Sequence, residues 1–167
     1  MSDMLHPATL PTEQLLQQCD VRRQRRSGPG GQHRNKVETA VVLTHRPTAC
    51  VGEATERRSQ EQNRQVAIQR LRIELALAVR CEHLEPSALW RTRLAGTRLS
   101  VSVEHPDFPA LLAEALDALE SCQWRLDEAS QRQGCSSSQL VKLLKLEHRA
   151  LGQLNAARRE LGLRELK

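Results

Sequence analysis

Residues 27–32 read Ser-Gly-Pro-Gly-Gly-Gln, set between Arg22-Arg23-Gln24-Arg25-Arg26 and His33-Arg34-Asn35-Lys36. Three glycines and a proline within six residues support neither a helix nor a central strand. They suit a loop whose backbone approaches something closely, and the loop ends in one uncharged polar side chain, Gln32. Cations crowd both sides, so the partner expected for this loop is a polyanion.

The charge of the chain is uneven in the same sense. The formal net charge is +5 over 167 residues. Residues 1–80 and 122–167 are basic, while residues 105–121 carry only acids. Two basic ends around an acidic middle suggest two polyanion-facing surfaces. Aromatics are limited to Trp90, Phe108 and Trp124. An aliphatic core is therefore expected, and recognition of single strands by stacked bases is not. Cysteines 19, 50, 81, 122 and 135 are odd in number and lack a Cys-x-x-Cys pair. This reads as thiols in a reducing compartment, with Cys50 and Cys135 inert, and no metal or cofactor is expected. No apolar run approaches a membrane span, and residues 1–11 resemble no signal or transit peptide. The expectation is a cytoplasmic monomer without a membrane partner.

Local patterns predict a loose lead-in over 1–11 and a short helix capped by Thr12. A strand over 19–24 then enters the loop, a strand over 39–45 leaves it, and residues 50–54 return as a second hairpin strand. A long helix opens at Ser59, with Val66, Ile68, Leu71, Ile73, Leu75 and Leu77 apolar and Gln60, Asn63, Arg64, Arg70 and Arg72 on the wet side. Arg57 and Arg58 precede it, where a helix N-terminus disfavours positive charge, so they read as partner contacts. Residues 99–103 alternate like a short strand. An Ala/Leu-rich helix is expected over about 108–120, another over 122–134 ended by Gly134, a Ser-capped helix over 139–145 and a last one over about 148–161. Ser130, Gly134 and Leu140 fall at helix-turn-helix spacing. The alternatives there are a surface for rRNA, tRNA or DNA, or a plain three-helix packing unit.

Arg26–Lys36, together with Thr44-His45-Arg46-Pro47-Thr48 and Glu56-Arg57-Arg58-Ser59-Gln60-Glu61-Gln62-Asn63-Arg64, resembles the catalytic domain of class I peptide chain release factors. The likeness is strongest to the short, single-domain relatives that rescue stalled ribosomes. It covers roughly residues 19–80. It implies hydrolysis of the peptidyl-tRNA ester in the ribosomal peptidyl-transferase centre, with large-subunit rRNA and peptidyl-tRNA as partners. Gly30 and Gly31 would let the backbone approach the tRNA end. The Gln32 backbone N–H would act as an oxyanion donor and its side chain would position water. The resemblance also marks Gln32 as a target for N5-methylation by a glutamine methyltransferase. Arg22, Arg23, Arg25, Arg26, Ser27, His33, Arg34, Asn35 and Lys36 would contact RNA, with Arg57, Arg58 and Arg64 as a second set and Asn35 holding the loop base. Lys142 and Lys145 are added as RNA contacts from the C-terminal helices. His33 and His45 are read as RNA contacts or local hydrogen bonders rather than acid–base catalysts. The chain departs from the family at Arg34 and Val37, and it has Ala49 where relatives end Pro-Thr-Gly.

The expected architecture is α+β: a small antiparallel sheet with a packed helix over 1–80, a connecting region with a helix over 81–121, and a helical region over 122–167. Lacking room for a codon-reading domain, the chain is expected to act independently of codon. A non-catalytic ribosome- or RNA-binding factor docking through the C-terminal helices is the alternative, and a DNA-binding regulator a third.

Overall fold

The computed structural model describes residues 5–24, 39–82 and 85–167. They divide into two compact units, Pro7–Ala78 and a second made of Val79–Lys167 with the residues up to His6.

The first unit is a three-stranded antiparallel sheet backed by one long helix. Strand β1 (Cys19–Gln24) pairs with β2 (Ala40–His45), which pairs with β3 (Val51–Ala54), so β2 is central. The long helix, here α2 (Gln60–Ala78), packs on β2 and β3. Ala67, Ile68, Leu71 and Leu75 are buried at the three-to-four-residue spacing that puts them on one face. Gly52 makes the close approach possible. A Cβ there would lie 2.2 Å from the Ala67 carbonyl oxygen and 2.5 Å from the Leu71 nitrogen. The strand–helix distance is thus set by the missing side chain.

A single 3-10 turn (Pro7–Thr9) and a short helix α1 (Thr12–Gln17) precede the sheet. The lead-in is tighter than its composition suggests: Ala8 is buried, and the Ala8 and Leu10 carbonyls accept from Arg72 at 2.6 and 2.7 Å. Arg72 therefore serves packing rather than the wet face. Thr12 is the first helical residue, Pro11 occupies the cap, and no side chain bonds there. At the β2–β3 turn Ala49 adopts φ +58°, the left-handed conformation that glycine fills in the pattern Pro-Thr-Gly.

The second unit is helical. Its elements are α3 (Ala88–Arg93), a hairpin of β4 (Leu94–Ala95) and β5 (Arg98–Leu99), α4 (Phe108–Ser121), α5 (Leu126–Arg132), α6 (Ser137–Lys145) and α7 (His148–Glu160). The core helix is α4, buried at Phe108, Leu111, Leu112, Ala115, Leu116 and Leu119. It carries two buried acids that are held by backbone donors. Ser87 N–H donates to Glu114 Oε1 at 2.8 Å, and Cys81 N–H to Asp117 Oδ1 at 3.0 Å. Trp90 and Phe108 are its largest fully buried side chains, so this core is not purely aliphatic.

Three expectations change here. Residues 100–103 form no strand; only Arg98–Leu99 pairs, because the neighbour it needs is just two residues long. The helix expected over 122–134 begins at Leu126. Gln123 and Trp124, at φ +52° and +60°, end α4 and turn the chain first. Helix α3 was not foreseen; Ser87 caps it by accepting from Trp90 N–H at 3.0 Å. The α+β class with a small antiparallel sheet, a packed helix and a helical region is as expected.

Candidate functional site

The Gly-rich segment joins β1 to β2. It leaves the sheet after Gln24, which is paired with Ala40, and the chain is described again from Thr39. Arg25, Arg26, Ser27, Gly30, Gly31, Gln32, His33, Arg34, Asn35 and Lys36 lie outside the described residues. What the structure does show is the frame on which this segment is mounted.

That frame gathers cations at one end of the sheet. Arg22 and Arg23 lie near the end of β1, opposite Val42 and Val41. Because β3 runs antiparallel to β2, its last residue Ala54 pairs with Val41 at the same end. Arg57 and Arg58 follow three and four residues later. All four arginines are exposed, and none has a carboxylate partner among the described residues. Arg64, on the first turns of α2, is half-exposed and stands 3.5 Å from Glu61. Two acids stand near this end: Glu53, exposed on β3 in the row of Val42 and Arg22, and Glu56, which is already engaged. Thr55 N–H and Arg70 both bond its carboxylate, and these bonds, the backbone one foremost, hold its pKa below the usual carboxylate range. Among the described residues these four arginines thus leave positive charge uncompensated at this end.

Asn63 fastens this end. It is fully buried, contrary to the wet-side expectation. Its Nδ2 donates to the Thr39 carbonyl at 2.6 Å and to the Arg57 carbonyl at 3.0 Å, and its Oδ1 accepts from Arg57 N–H at 2.9 Å. One amide therefore ties the re-entry of the Gly-rich segment to the stretch that carries Arg57 and Arg58. The signal was present in the sequence: Asn63 stands four residues before Ala67, which leads at the same spacing to Leu71 and Leu75.

His45 sits at the opposite end of β2, about 17 Å away at the rise of an antiparallel strand. It is buried, with Nδ1 2.8 Å from Thr48 Oγ1 and Nε2 2.9 Å from Gln18 Oε1. Burial, then the Arg46 charge, pushes its pKa down. It is a local hydrogen bonder, one of the two roles read for it. Cys135 is buried and its thiol is pushed up to about 11, chiefly by burial, which suppresses the reactive thiolate.

In the second unit, His6, Cys81 and Asp117 bring their ligand atoms within 4.8 Å of one another. The His6 Nε2–H donates to the Val79 carbonyl at 3.2 Å, and the Arg80 charge acts on both His6 and Asp117. An arginine beside the group opposes a further cation, so the geometry is that of a polar clip. Lys142 and Lys145 are exposed on α6 of this unit. No helix among the described residues is long and apolar enough to cross a membrane.

A three-stranded sheet, one backing helix and a Gly-rich connection, with arginines that have no carboxylate partner among the described residues, define a small α+β domain with a cationic end. A family model described as the RF-1 domain matches residues 14–100, and the chain belongs to that family. Peptide chain release factor 1 of Xylella fastidiosa (strain 9a5c) is 41% identical over 73 residues, covering 44% of this chain and 20% of that protein. Peptide chain release factor 2 of Acidovorax sp. (strain JS42) is 57% identical over 51 residues, covering 30% of this chain and 14% of that protein. The matches span a fifth or less of these relatives. No solved structure matches the chain.

Proposed function

We propose that this protein hydrolyses the ester between a nascent peptide and tRNA on stalled ribosomes, independently of codon. The observation that carries the reading is the Gly30-Gly31-Gln32 string within the matched RF-1 region, in a connection between strands whose frame holds four arginines with no carboxylate partner among the described residues. Water attacks the ester carbonyl carbon, the bond to the tRNA 3′ oxygen breaks, and that oxygen takes up a proton. The Gln32 backbone N–H stabilises the charge developing on the ester oxygens, and its side chain positions the water. Gly30 and Gly31 admit the backbone to the tRNA end. Arg22, Arg23, Arg25, Arg26, Arg34, Lys36, Arg57, Arg58 and Arg64 supply phosphate contacts without reading sequence, and Ser27, His33 and Asn35 complete the RNA-facing set. Gln32 is also the side chain on which a glutamine methyltransferase acts.

The test is release of labelled formyl-methionine from ribosomes holding initiator tRNA, with and without a stop codon. Wild type releases in both cases, and Gln32→Ala binds but does not release. No release on any complex removes the hydrolase reading; release only with a stop codon removes codon independence.

A further inference from the structure

The second unit holds a feature that ester hydrolysis does not use. Helices α5 and α6 are joined by a four-residue turn, residues 133–136, in which Gly134 takes φ +66°. Gly134 N–H bonds the Gln131 carbonyl at 3.1 Å and Cys135 N–H the Ser130 carbonyl at 3.0 Å, a Schellman closure of α5. Ser136 then caps α6 by accepting from Gln139 N–H. Ala129, Ser130, Gln133, Cys135, Leu140 and Leu143 are all buried, so both helices turn their inner faces to one core. Ser137 Oγ donates to Asp127 Oδ1 and lies 2.9 Å from Ser130 Oγ, which fixes one helix against the other. Two packed helices joined by a Gly turn and a Ser cap are what the spacing of Ser130, Gly134 and Leu140 predicts.

Its outer face is cationic and unpaired. Ser138, Lys142 and Lys145 are exposed at positions i, i+4 and i+7 of α6, one stripe along the helix. Beside it stands the β4–β5 hairpin, whose Thr97 carbonyl accepts from Ser136 N–H at 3.3 Å. Hairpin and helix together line a groove, with Arg98 and Ser100 contributed from the hairpin side and Gln139, Lys142, Leu143 and the exposed Leu146 from the α6 side. Arg98, Lys142 and Lys145 have no carboxylate partner among the described residues, a state they share with Arg132, Arg158 and Arg164 but not with Arg91, Arg93, Arg125, Arg149 and Arg159 of the same unit, and they are the ones gathered along α6 and the hairpin. Polar donors between cations, along a helix presented by a rigid turn, match a phosphate backbone better than a protein surface. Because the apolar part of the groove lining is aliphatic, with no aromatic side chain among its residues, stacking on unpaired bases is disfavoured.

We propose that α6 and the β4–β5 hairpin form a second polyanion site that binds the phosphate backbone of double-helical RNA, with Arg98, Lys142 and Lys145 as its cations. RNA rather than DNA is favoured because the same chain carries an RF-1 domain, whose relatives are named as peptide chain release factors. The site does not depend on ester hydrolysis, because its binding is read without any release reaction.

The test measures binding of the full chain to a fluorescently labelled RNA hairpin, and to a DNA hairpin of the same sequence, across a salt series. The combined variant Arg98→Ala/Lys142→Ala/Lys145→Ala is expected to lose at least about tenfold in affinity for the RNA at low salt. Its log–log salt slope should become shallower by about two to three, one increment per lost phosphate contact. The paired cations offer the control: Arg125→Ala/Arg159→Ala should match wild type in both quantities. All five positions are at the surface, and an unchanged unfolding temperature shows that the variants remain folded. Lys142→Arg/Lys145→Arg keeps charge and should keep the slope. Superimposable wild-type and triple-variant curves overturn the proposal, as does tighter binding of the DNA hairpin than of the RNA.

Discussion

The buried Asn63 side chain donates to the carbonyl of Thr39, the first described residue after the Gly-rich segment, at 2.6 Å. The same amide bonds both backbone groups of Arg57. The segment proposed to carry the chemistry and one of its cation sets therefore share a single anchor in the helix behind the sheet.

Removing that anchor leaves the Thr39 carbonyl and two Arg57 backbone groups without their partner. Asn63→Ala is expected to destabilise the protein by roughly 2–4 kcal/mol. It should also reduce peptide release more than ribosome binding, because cations remain but their frame loosens. Urea unfolding and release kinetics would check both; a stability loss under about 0.5 kcal/mol would show that the amide is not what holds this end.

At Gly52 the expectation is steric. A methyl group would overlap the backbone of α2 at Ala67 and Leu71, so strand and helix must part. Gly52→Ala should cost roughly 2–3 kcal/mol, read as a lowered thermal midpoint. A neutral result would mean that β3 and α2 separate freely.

Ala49 works in the opposite direction. It holds φ +58°, where a Cβ is penalised, and its N–H bonds the His45 carbonyl at 2.8 Å. Ala49→Gly should relieve that strain and stabilise by about 1 kcal/mol, the left-handed penalty less the entropy of a freer unfolded chain. Differential scanning calorimetry should find a higher midpoint; a lower one would rule out strain at this turn.

Burial lowers the pKa of both His6 and His45. The unfolded chain then binds more protons than the folded one once pH drops below the ordinary histidine value of about 6.5. Their contribution to stability is complete above that pH and is lost as pH falls toward the folded values. Urea midpoints at about pH 7.5 and about pH 5.5 should differ, with the protein weaker in acid, and His45→Gln should flatten the difference. An equal slope in that variant would assign the acid sensitivity elsewhere.

Arg57→Ala/Arg58→Ala should slow release at physiological salt by about tenfold or more and leave the thermal midpoint unchanged, since neither side chain has a carboxylate partner among the described residues. If release is unaltered while Arg22→Ala/Arg23→Ala impairs it, the phosphate contacts lie on β1 alone.

Local patterns in the chain were enough to place β1 at Cys19–Gln24, the strand that returns through Val51–Ala54, the helix opened by Ser59, and the Gly134 turn between α5 and α6. Each rests on a cap, a glycine or a periodicity contained within a few residues. The Gly-rich string is read from residue order alone and lies outside the described residues. Other features needed the packed chain. Residues 100–103 alternate like a strand, but among the described residues no strand pairs with them, and Arg72 looks solvent-facing until the Ala8 and Leu10 carbonyls come within reach. Asn63 reads as polar surface until the sheet closes over it. By itself the sequence determined most of the elements and the residue order of the Gly-rich connection, since backbone propensity is local. Only the tertiary structure decided which cations stay unpaired and what fastens the loop to its frame, since hydrogen bonds between residues 24 apart exist only once strand and helix have packed.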